Sequence, residues 1–317
     1  MSQWPESLLT LIEQGVPSVL VTIVGAKGSV PRGVGTKMIV THQGLQQGTI
    51  GGGNLEYQCI EAAKQRLHSN DAVWLRDVQR FALGASLGQC CGGVVIVLFD
   101  YIDTNKPEWL LTLLKHKAAR ERVELITALN DESQVKRVVV CDQLNSQPVA
   151  HSDDYLIETI EPNNFTIVLF GAGHVGRALV QVLSGLECEV LWVDSRADEF
   201  PENIPLNVTK IVNPDPEEVV EAAPAGSYFI VLTHSHRLDQ LLCERVLARA
   251  DFRYCGLIGS RSKRSKFEHR LRAKGFSEAQ LATLTCPIGI PTLSDKQPGH
   301  IAIAVAAQLL ELNQTAR

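Results

Sequence analysis

The sequence predicts an α/β fold in two domains. A mixed α/β domain is expected over residues 1–144, a polar linker over 145–164, and a Rossmann-like domain with a doubly wound parallel sheet over 165–317. Three observations predict this arrangement. The 317 residues exceed the usual size of a single domain, a glycine-rich turn joins a buried strand to a helix, and strands alternate with helices downstream of that turn.

The N-terminal domain is predicted from apolar runs separated by turn residues. A proline near its start and Gly15 just past its end bound a first helix over residues 5–14. Short apolar runs indicate strands, and longer periodic runs indicate helices. The predicted strands cover residues 18–24, 37–40, 47–50, 94–99, 123–129 and 135–141, and the further helices run from the turn at 51–54 to about Leu67 and over 107–117.

Two glycine-rich loops in this domain are candidates for holding an anion. The loop over residues 25–36 contains four glycines and the cation Arg32. The second loop opens a helix, whose first backbone N–H groups have no partner inside the helix. Turn formation alone is the alternative for either loop. The candidate anion contacts are Arg32, Gly51, Gly52 and Gly53.

Cys90 and Cys91 stand out among the eight cysteines. The Cα atoms of adjacent residues lie about 3.8 Å apart, below the ~4.4 Å lower limit of usual disulfides, and adjacency also misses the spacing of a zinc knuckle. The pair follows Gln89 in a glycine-rich loop before an apolar strand. We therefore expect a place where a ligand approaches closely. A tight turn with incidental cysteines is the alternative.

The strongest motif of the C-terminal domain is G-x-G-x-x-G between the apolar run 167–170 and a periodic helix. The first glycine permits a tight turn, the second lets the backbone approach a pyrophosphate, and the third lets helix and strand pack closely. An acid 23 residues after the first glycine suits a ribose diol. Glycines kept for packing alone are the alternative. The candidate nucleotide contacts are Gly171, Gly173, His174, Gly176 and Asp194.

Further candidate contacts follow the later strands of this domain. The predicted strands cover 188–193, 208–212, 228–232 and 254–258, and the helices cover 217–222, 238–250, 262–274 and 299–312. Open α/β sheets bind ligands at the carboxyl ends of their strands. The alternating histidines there resemble the start of a hydrolase metal motif, but Asp239 comes one position late and Gln240 replaces a histidine. A capping or ligand-contact role is therefore preferred to a metal site. The candidate ligand contacts are His234, His236, Asp239, Ser260 and Arg261.

The composition is that of an ordinary soluble protein, with 45% hydrophobic and 21% charged residues. A formal charge of −5 gives no general attraction to nucleic acid or to an anionic membrane. No run approaches the ~18 apolar residues of a membrane span. The first residues lack the basic start and apolar centre of a signal peptide, so a cytoplasmic location with mostly reduced thiols is expected.

Seven of these motifs, taken in order, resemble the XdhC family of xanthine dehydrogenase accessory proteins, which is related to the CoxI-type factors of molybdenum hydroxylases. The resemblance extends over almost the entire chain. The motifs are Gly28–Gly33, Gly51–Glu56, Leu87–Gly93, the turn from Gly171, Thr233–Asp239, Leu257–Arg261 and Cys286–Gly289.

The resemblance implies a carrier of a cofactor rather than an enzyme. It implies that the protein binds the molybdenum cofactor (molybdopterin), with Gln89, Cys90 and Cys91 at or near the site, and that the C-terminal domain takes a nucleotide or dinucleotide extension if one is present. The implied partners are a cysteine desulfurase, which supplies the terminal sulfur, and the molybdenum-binding subunit of xanthine dehydrogenase. A homodimer is a candidate assembly. The alternatives are a nicotinamide-dependent oxidoreductase and a metal-dependent hydrolase using His234 and His236.

Overall fold

The structure is a computed structural model of the chain. It describes residues 3–68, 76–83, 92–129, 137–140, 149–152, 154–160, 165–293 and 295–314. The chain forms two compact units, Met1–Pro162 and Asn163–Arg317. Within the described ranges, no helix is long and apolar enough to cross a membrane.

The first unit contains two antiparallel sheets. The described elements are α1 (Trp4–Glu13), β1 (Ser18–Lys27), β2 (Lys37–Thr41), β3 (Gly44–Gly48), α2 (Gly53–His68), β4 (Arg76–Ala82), β5 (Val94–Ile102), α3 (Glu108–Ala118), β6 (Val123–Ala128), β7 (Arg137–Val140), β8 (Val149–His151) and β9 (Tyr155–Ile160). The first sheet has the strand order β3-β2-β1-β5-β4, and the second has the order β7-β6-β9-β8.

Strand β1 is buried on both faces and organises the first sheet. Successive side chains of a strand point to opposite faces. Val19, Val21 and Ile23 therefore pack towards α2, whereas Leu20 packs towards α1 and α3. Burial of a side chain of this size stabilises the fold by about 1.5–3 kcal/mol. The apolar run of β1 thus holds helices on both sides of the sheet.

Buried ion pairs join the two sheets of this unit. Lys37 of β2 donates to Glu158 of β9, and both side chains are nearly excluded from solvent. Burial lowers the pKa of Lys37, and the neighbouring Glu158 carboxylate opposes that shift. Asp100 of β5 accepts from Arg76 of β4 at 3.1 Å and from Arg137 of β7 at 2.9 Å. Removing one partner of such a buried pair typically costs about 3–5 kcal/mol.

Four strands of this unit depart from the sequence prediction. Strand β4 was not predicted, and the strand expected over residues 47–50 lies instead at 44–48. The stretch 145–164, interpreted as a linker, contains β8 and β9, which pair with each other and with β6. The segment contains Glu158, and an acidic residue in a sequence indicates an exposed position. In the structure, Glu158 of β9 is buried against Lys37.

The second unit is a parallel α/β sheet. The described elements are β10 (Thr166–Phe170), α4 (His174–Leu183), β11 (Glu189–Asp194), β12 (Val208–Val212), α5 (Glu217–Ala222), β13 (Tyr228–Val231), α6 (His236–Arg249), β14 (Tyr254–Leu257), α7 (Arg261–Ala273), α8 (Glu278–Ala282), β15 (Leu284–Thr285) and α9 (Pro298–Gln314). The strand order is β12-β11-β10-β13-β14-β15, with parallel pairing throughout.

Helices cover both faces of this sheet, as a fully buried parallel sheet requires. Helices α4 and α9 pack on one face around Trp192 and Tyr228. Helices α5, α6 and α7 pack on the other face around Phe229. The chain leaves β10 for β11 on one side and returns to β13 on the other, so the strand order reverses beside β10. Ligands of doubly wound sheets bind at such a reversal, outside the carboxyl ends of the strands.

The predicted fold class is confirmed by this architecture. The N-terminal unit is mixed α/β, and the C-terminal unit has the Rossmann-like parallel sheet. Five predicted strands and five predicted helices of the second unit correspond to β10–β14 and to α4–α7 and α9. The short elements α8 and β15 were not predicted, because five and two residues carry too little periodicity to be recognised.

The close approach of helix α4 to the end of β10 depends on a missing side chain. A Cβ atom at Gly176 would lie 2.1 Å from the carbonyl oxygen of Gly171. Gly171 itself has φ of +118°, a conformation that side chains disfavour. The third glycine of the motif therefore serves packing between helix and turn.

We predict that Gly176→Ala lowers the free energy of unfolding of the full chain by about 1–3 kcal/mol, because overpacking against backbone outweighs the ~0.5–1 kcal/mol that alanine adds to a helix. Gly173→Ala is the matched control, since a Cβ there meets no atom within 4 Å. Urea unfolding followed by circular dichroism measures both variants. Equal stability of the two variants would contradict the packing role.

Candidate functional site

The glycine turn between β10 and α4 leaves open space at its second glycine. Gly171 donates its N–H to Val193 O at 2.8 Å, which fixes the turn against β11. The turn then brings Gly173 to the N-cap of α4, where a Cβ would touch nothing within 4 Å. His174 begins the helix with an exposed side chain. The first N–H groups of α4 are thus available to an anion.

Asp194, predicted to contact a ribose, is occupied by donors of its own chain. Its carboxylate accepts from the backbone N–H of Ala172 at 2.8 Å and from that of Arg196 at 3.0 Å. The Arg196 guanidinium adds two contacts, at 3.0 and 2.9 Å. Burial opposes ionisation of this carboxyl, but the hydrogen bonds from Arg196 and Ala172 outweigh it and hold its pKa below the usual value. Asp194 therefore braces the glycine turn against β11.

The crevice beside this turn is small. Gly171, Asp194 and Thr233 line a space of about 10 Å³ at the reversal of strand order. A volume of that size holds about one water molecule. A ligand at the turn must therefore lie over the strand ends and the start of α4, outside the crevice.

The segment after β13 acts as a helix cap. Ser235 accepts from the Leu238 N–H at 3.3 Å and begins α6. Asp239, predicted as a ligand contact, is fully buried, and its carboxylate accepts from Thr233 Oγ1 at 2.7 Å and from Lys263 Nζ at 2.6 Å. Both oxygens of Asp239 are therefore engaged within the chain, where they hold the end of β13 and α7 together.

His234 and His236 are exposed at this edge. In the part of the chain that the structure describes, no group of three or more His, Cys, Asp or Glu side chains is arranged to hold a metal ion. Asp239 cannot complete a set with the two histidines, since it is bound to Lys263.

A much larger cavity, of about 900 Å³, opens at the carboxyl end of β14. Its size lies within the range of about 300–1,000 Å³ that small-molecule sites occupy. Two predicted contacts, Ser260 and Arg261, lie in its wall. The remaining lining residues are Ile258, Gly259, Arg264, Cys286, Pro287, Ile288, Gly289, Ile290, Pro291, Leu293, Asp295, Lys296, Ile301 and Ala304.

Gln308 of α9 fixes the wall of this cavity, and sequence reasoning missed it. Its side-chain oxygen accepts from Tyr254 at the start of β14 at 2.6 Å and from the Gly289 N–H at 2.9 Å. One amide thus ties α9 both to the sheet and to the cavity loop. Cys286 lies in the same wall, but burial raises the pKa of its thiol, so it is a poor nucleophile.

The turn before α2, predicted as an anion cradle, already contains a carboxylate. Glu56 accepts from the backbone N–H groups of Ile50 at 2.9 Å and Gly52 at 3.1 Å, and from the hydroxyl of Thr49. The Gly51 N–H donates to Thr49 Oγ1 at 3.0 Å. The chain itself therefore supplies acceptors for the Gly51 and Gly52 N–H groups, which were predicted to bind an anion. Gly53 begins α2 with φ of +65°.

The glycine loops of the first unit nevertheless meet. A Cβ at Gly51 would lie 2.5 Å from Pro31, and one at Gly93 would lie 2.4 Å from Ser29 O. Leu83 donates its N–H to Gly93 O at 2.8 Å, so both ends of the intervening segment are held beside these loops. Gln89, Cys90 and Cys91 lie in that segment, outside the described residues. Arg32 is exposed in the same cluster of loops.

The fold and the glycine turn together define a protein with a C-terminal Rossmann-like domain. Two family models match the chain, one described as the XdhC and CoxI family over residues 11–80, the other as the XdhC Rossmann domain over residues 167–309. The chain belongs to the XdhC and CoxI family.

Two known proteins are similar over nearly the whole chain. YqeB of Escherichia coli strain K12, described as uncharacterised, is 25% identical over 307 residues, covering 96% of this chain. The chain spans 45% of the length of that relative. A crystal structure described as a xanthine dehydrogenase from Bacillus halodurans shares the fold, with a TM-score of 0.71, 21% identity, and coverage of 100% of this chain and 97% of that one.

We predict that Asp194→Asn lowers the free energy of unfolding at pH 7 by about 1–3 kcal/mol, because hydrogen bonds to a charged group are weakened. The folded-state pKa of Asp194 is lowered, so its ionised form stabilises the fold above the unfolded-state pKa, and this contribution is lost as pH falls through the folded-state pKa. The difference in the free energy of unfolding between the unsubstituted protein and the variant should therefore narrow from about pH 5 towards pH 3.

Urea unfolding at a series of pH values measures this deficit. Asp198→Asn is the control, since Asp198 is an exposed acid on the same loop. A deficit that stays constant across the series would show that the Asp194 charge does not stabilise the turn.

Proposed function

We propose that this protein is an accessory chaperone that binds the molybdenum cofactor, supports its sulfuration and inserts it into xanthine dehydrogenase or a related molybdenum hydroxylase. The observation that carries the proposal is the match of both halves to XdhC family models. The protein of the same fold from Bacillus halodurans is described as a xanthine dehydrogenase, which agrees with that enzyme as the client.

The glycine loops of the first unit fit the pterin end of such a cofactor. A Cβ at Gly52 or Gly33 would meet no atom within 4 Å, so backbone is accessible there to a flat ligand. Exposed Arg32 supplies a cation for the cofactor phosphate. Glu56 keeps the turn rigid from within. The bound cofactor would supply the molybdenum centre that the client enzyme uses.

Cys90 and Cys91 are proposed as soft sulfur donors beside the same loops. Thiolates are preferred ligands of soft metal centres and carriers of persulfide sulfur. The ends of their segment are joined by the Leu83–Gly93 hydrogen bond next to Ser29. The proposed partners are a cysteine desulfurase, as the source of sulfur, and the molybdenum-binding subunit of the client.

The C-terminal unit is proposed to take a nucleotide extension where the cofactor has one. Open space at Gly173 and the start of α4 suit a diphosphate. Since Asp194 is bound to Ala172 and Arg196, it contributes to this site by holding the turn.

We predict that replacing Cys90 and Cys91 together by Ala reduces retention of molybdenum cofactor at least tenfold while the fold is kept, because two small loop substitutions remove little core volume. Molybdenum per protein after purification from cofactor-producing cells measures retention. Cys188→Ala is the control, since Cys188 is a buried thiol of the second unit. Equal molybdenum content in the double variant and the control would contradict the proposed role.

Activation of a client distinguishes the chaperone from an oxidoreductase. We predict that protein loaded with cofactor, mixed with desulfurase and apo xanthine dehydrogenase, restores xanthine oxidation, whereas unloaded protein does not. The protein alone should turn over no nicotinamide cofactor. Substrate-dependent oxidation of NADH by the protein alone, without client activation, would instead favour a nicotinamide-dependent oxidoreductase.

A further inference from the structure

The cavity at the carboxyl end of β14 combines an apolar body with a cationic rim. Five apolar side chains, from the residue after β14, from the loop between β15 and α9, and from α9, contribute to its wall. They are Ile258, Ile288, Ile290, Leu293 and Ile301. Leu293 is 52% exposed and lines the cavity. A ligand with an apolar ring or chain would cover it.

The charge in the wall is unbalanced towards positive. Three cations, Arg261, Arg264 and Lys296, face a single carboxylate, that of Asp295. Arg264 is paired with Glu268 at 2.7 Å, and Asp295 accepts from the Gln297 N–H at 3.0 Å. Among the described residues, neither Arg261 nor Lys296 has an ion-pair partner. These two side chains can therefore bind an anionic group of a ligand.

Helix α7 adds a second attraction for an anion at the same end. Ser260 caps it and accepts from the Lys263 N–H at 3.2 Å, and the helix begins at Arg261 in the cavity wall. The N–H groups of the first turn and the helix dipole favour negative charge there. With 13 residues, α7 has a fully developed dipole.

Glycine residues are also present between the apolar wall and the cationic rim of the cavity. Gly259 and Gly289 lie in the wall. The Gly289 N–H already donates to Gln308, so the polar edge of a heterocycle would meet the main chain at Gly259. An acyl chain has no polar edge to use it. The carboxyl ends of strands in an α/β sheet are also where heterocyclic ligands lie.

We propose that this cavity binds a phosphate-bearing heterocycle of mononucleotide size, with its ring against Leu293 and Ile301 and its phosphate between Arg261, Lys296 and the start of α7. This goes beyond the function proposed above, since every lining residue of the cavity belongs to the second unit and the binding of such a ligand needs neither molybdenum nor a client. The binding test of this site can therefore succeed or fail independently of the test of the proposed chaperone function.

Calorimetry on the full chain tests the site with guanosine monophosphate and flavin mononucleotide as probes. At least one should bind ten times more tightly than guanosine, riboflavin or inorganic phosphate alone, because the ring and the phosphate of the probe each contribute to binding. Backbone amide shifts should change at Gly259 and Gly289. No binding by either probe, shifts centred on Gly173 instead, or tighter binding of octanoate would overturn the proposal.

Paired variants separate the two halves of the site. Arg261→Ala with Lys296→Ala should weaken the bound probe at least tenfold, while Lys266→Ala, an exposed cation of α7 outside the wall, should change affinity less than twofold. Leu293→Ser should weaken binding severalfold, and Leu206→Ser, at a leucine 57% exposed elsewhere in the unit, should not. Equal effects within either pair would overturn the assignment.

Discussion

The carboxyl edge of the second unit depends on how closely two backbone segments approach. Helix α4 can lie on the end of β10 only because no side chain separates Gly176 from the Gly171 carbonyl. That contact sets the direction of α4 and brings Ala172 within reach of the Asp194 carboxylate on β11. It also leaves Gly171 O free to accept from the indole of Trp192 at 3.0 Å, in the core below. The absence of a side chain at Gly176 therefore positions the turn, the helix and the neighbouring strand.

Carboxylates of the chain itself fill several places where a sequence motif suggests an external anion. Glu56 occupies the turn before α2, Asp194 binds the glycine turn, and Asp239 is sealed between Thr233 and Lys263. Each rigidifies a loop because a charged acceptor holds several donors at once. Where no acid of the described ranges reaches a cation, as at Arg261 beside the large cavity, the positive charge remains without an ion-pair partner.

Local periodicity and turn chemistry were sufficient to predict the fold class and most elements of the second unit. The apolar run before Gly171 and the spacing of the glycines are local signals, and the structure forms β10 and α4 there. What could not be predicted depends on partners distant in sequence. Glu158 is buried only because Lys37, 121 residues away, pairs with it, and Asp194 is occupied in part because the backbone of Ala172, 22 residues away, donates to it. The cavity combines β14, a loop and α9, which no single motif encodes.

The amide of Gln308 has a consequence for how the second unit is made during translation. It joins α9 to Tyr254 and Gly289, and α9 also covers the face of the sheet that α4 shares, through Val305 and Leu309. A nascent chain that has emerged only as far as β15 contains every described strand of the sheet, but α4 then covers the shared face without α9, and the cavity lacks the wall residues that α9 supplies. The cavity is therefore complete only after α9 has been synthesised and has packed on the sheet.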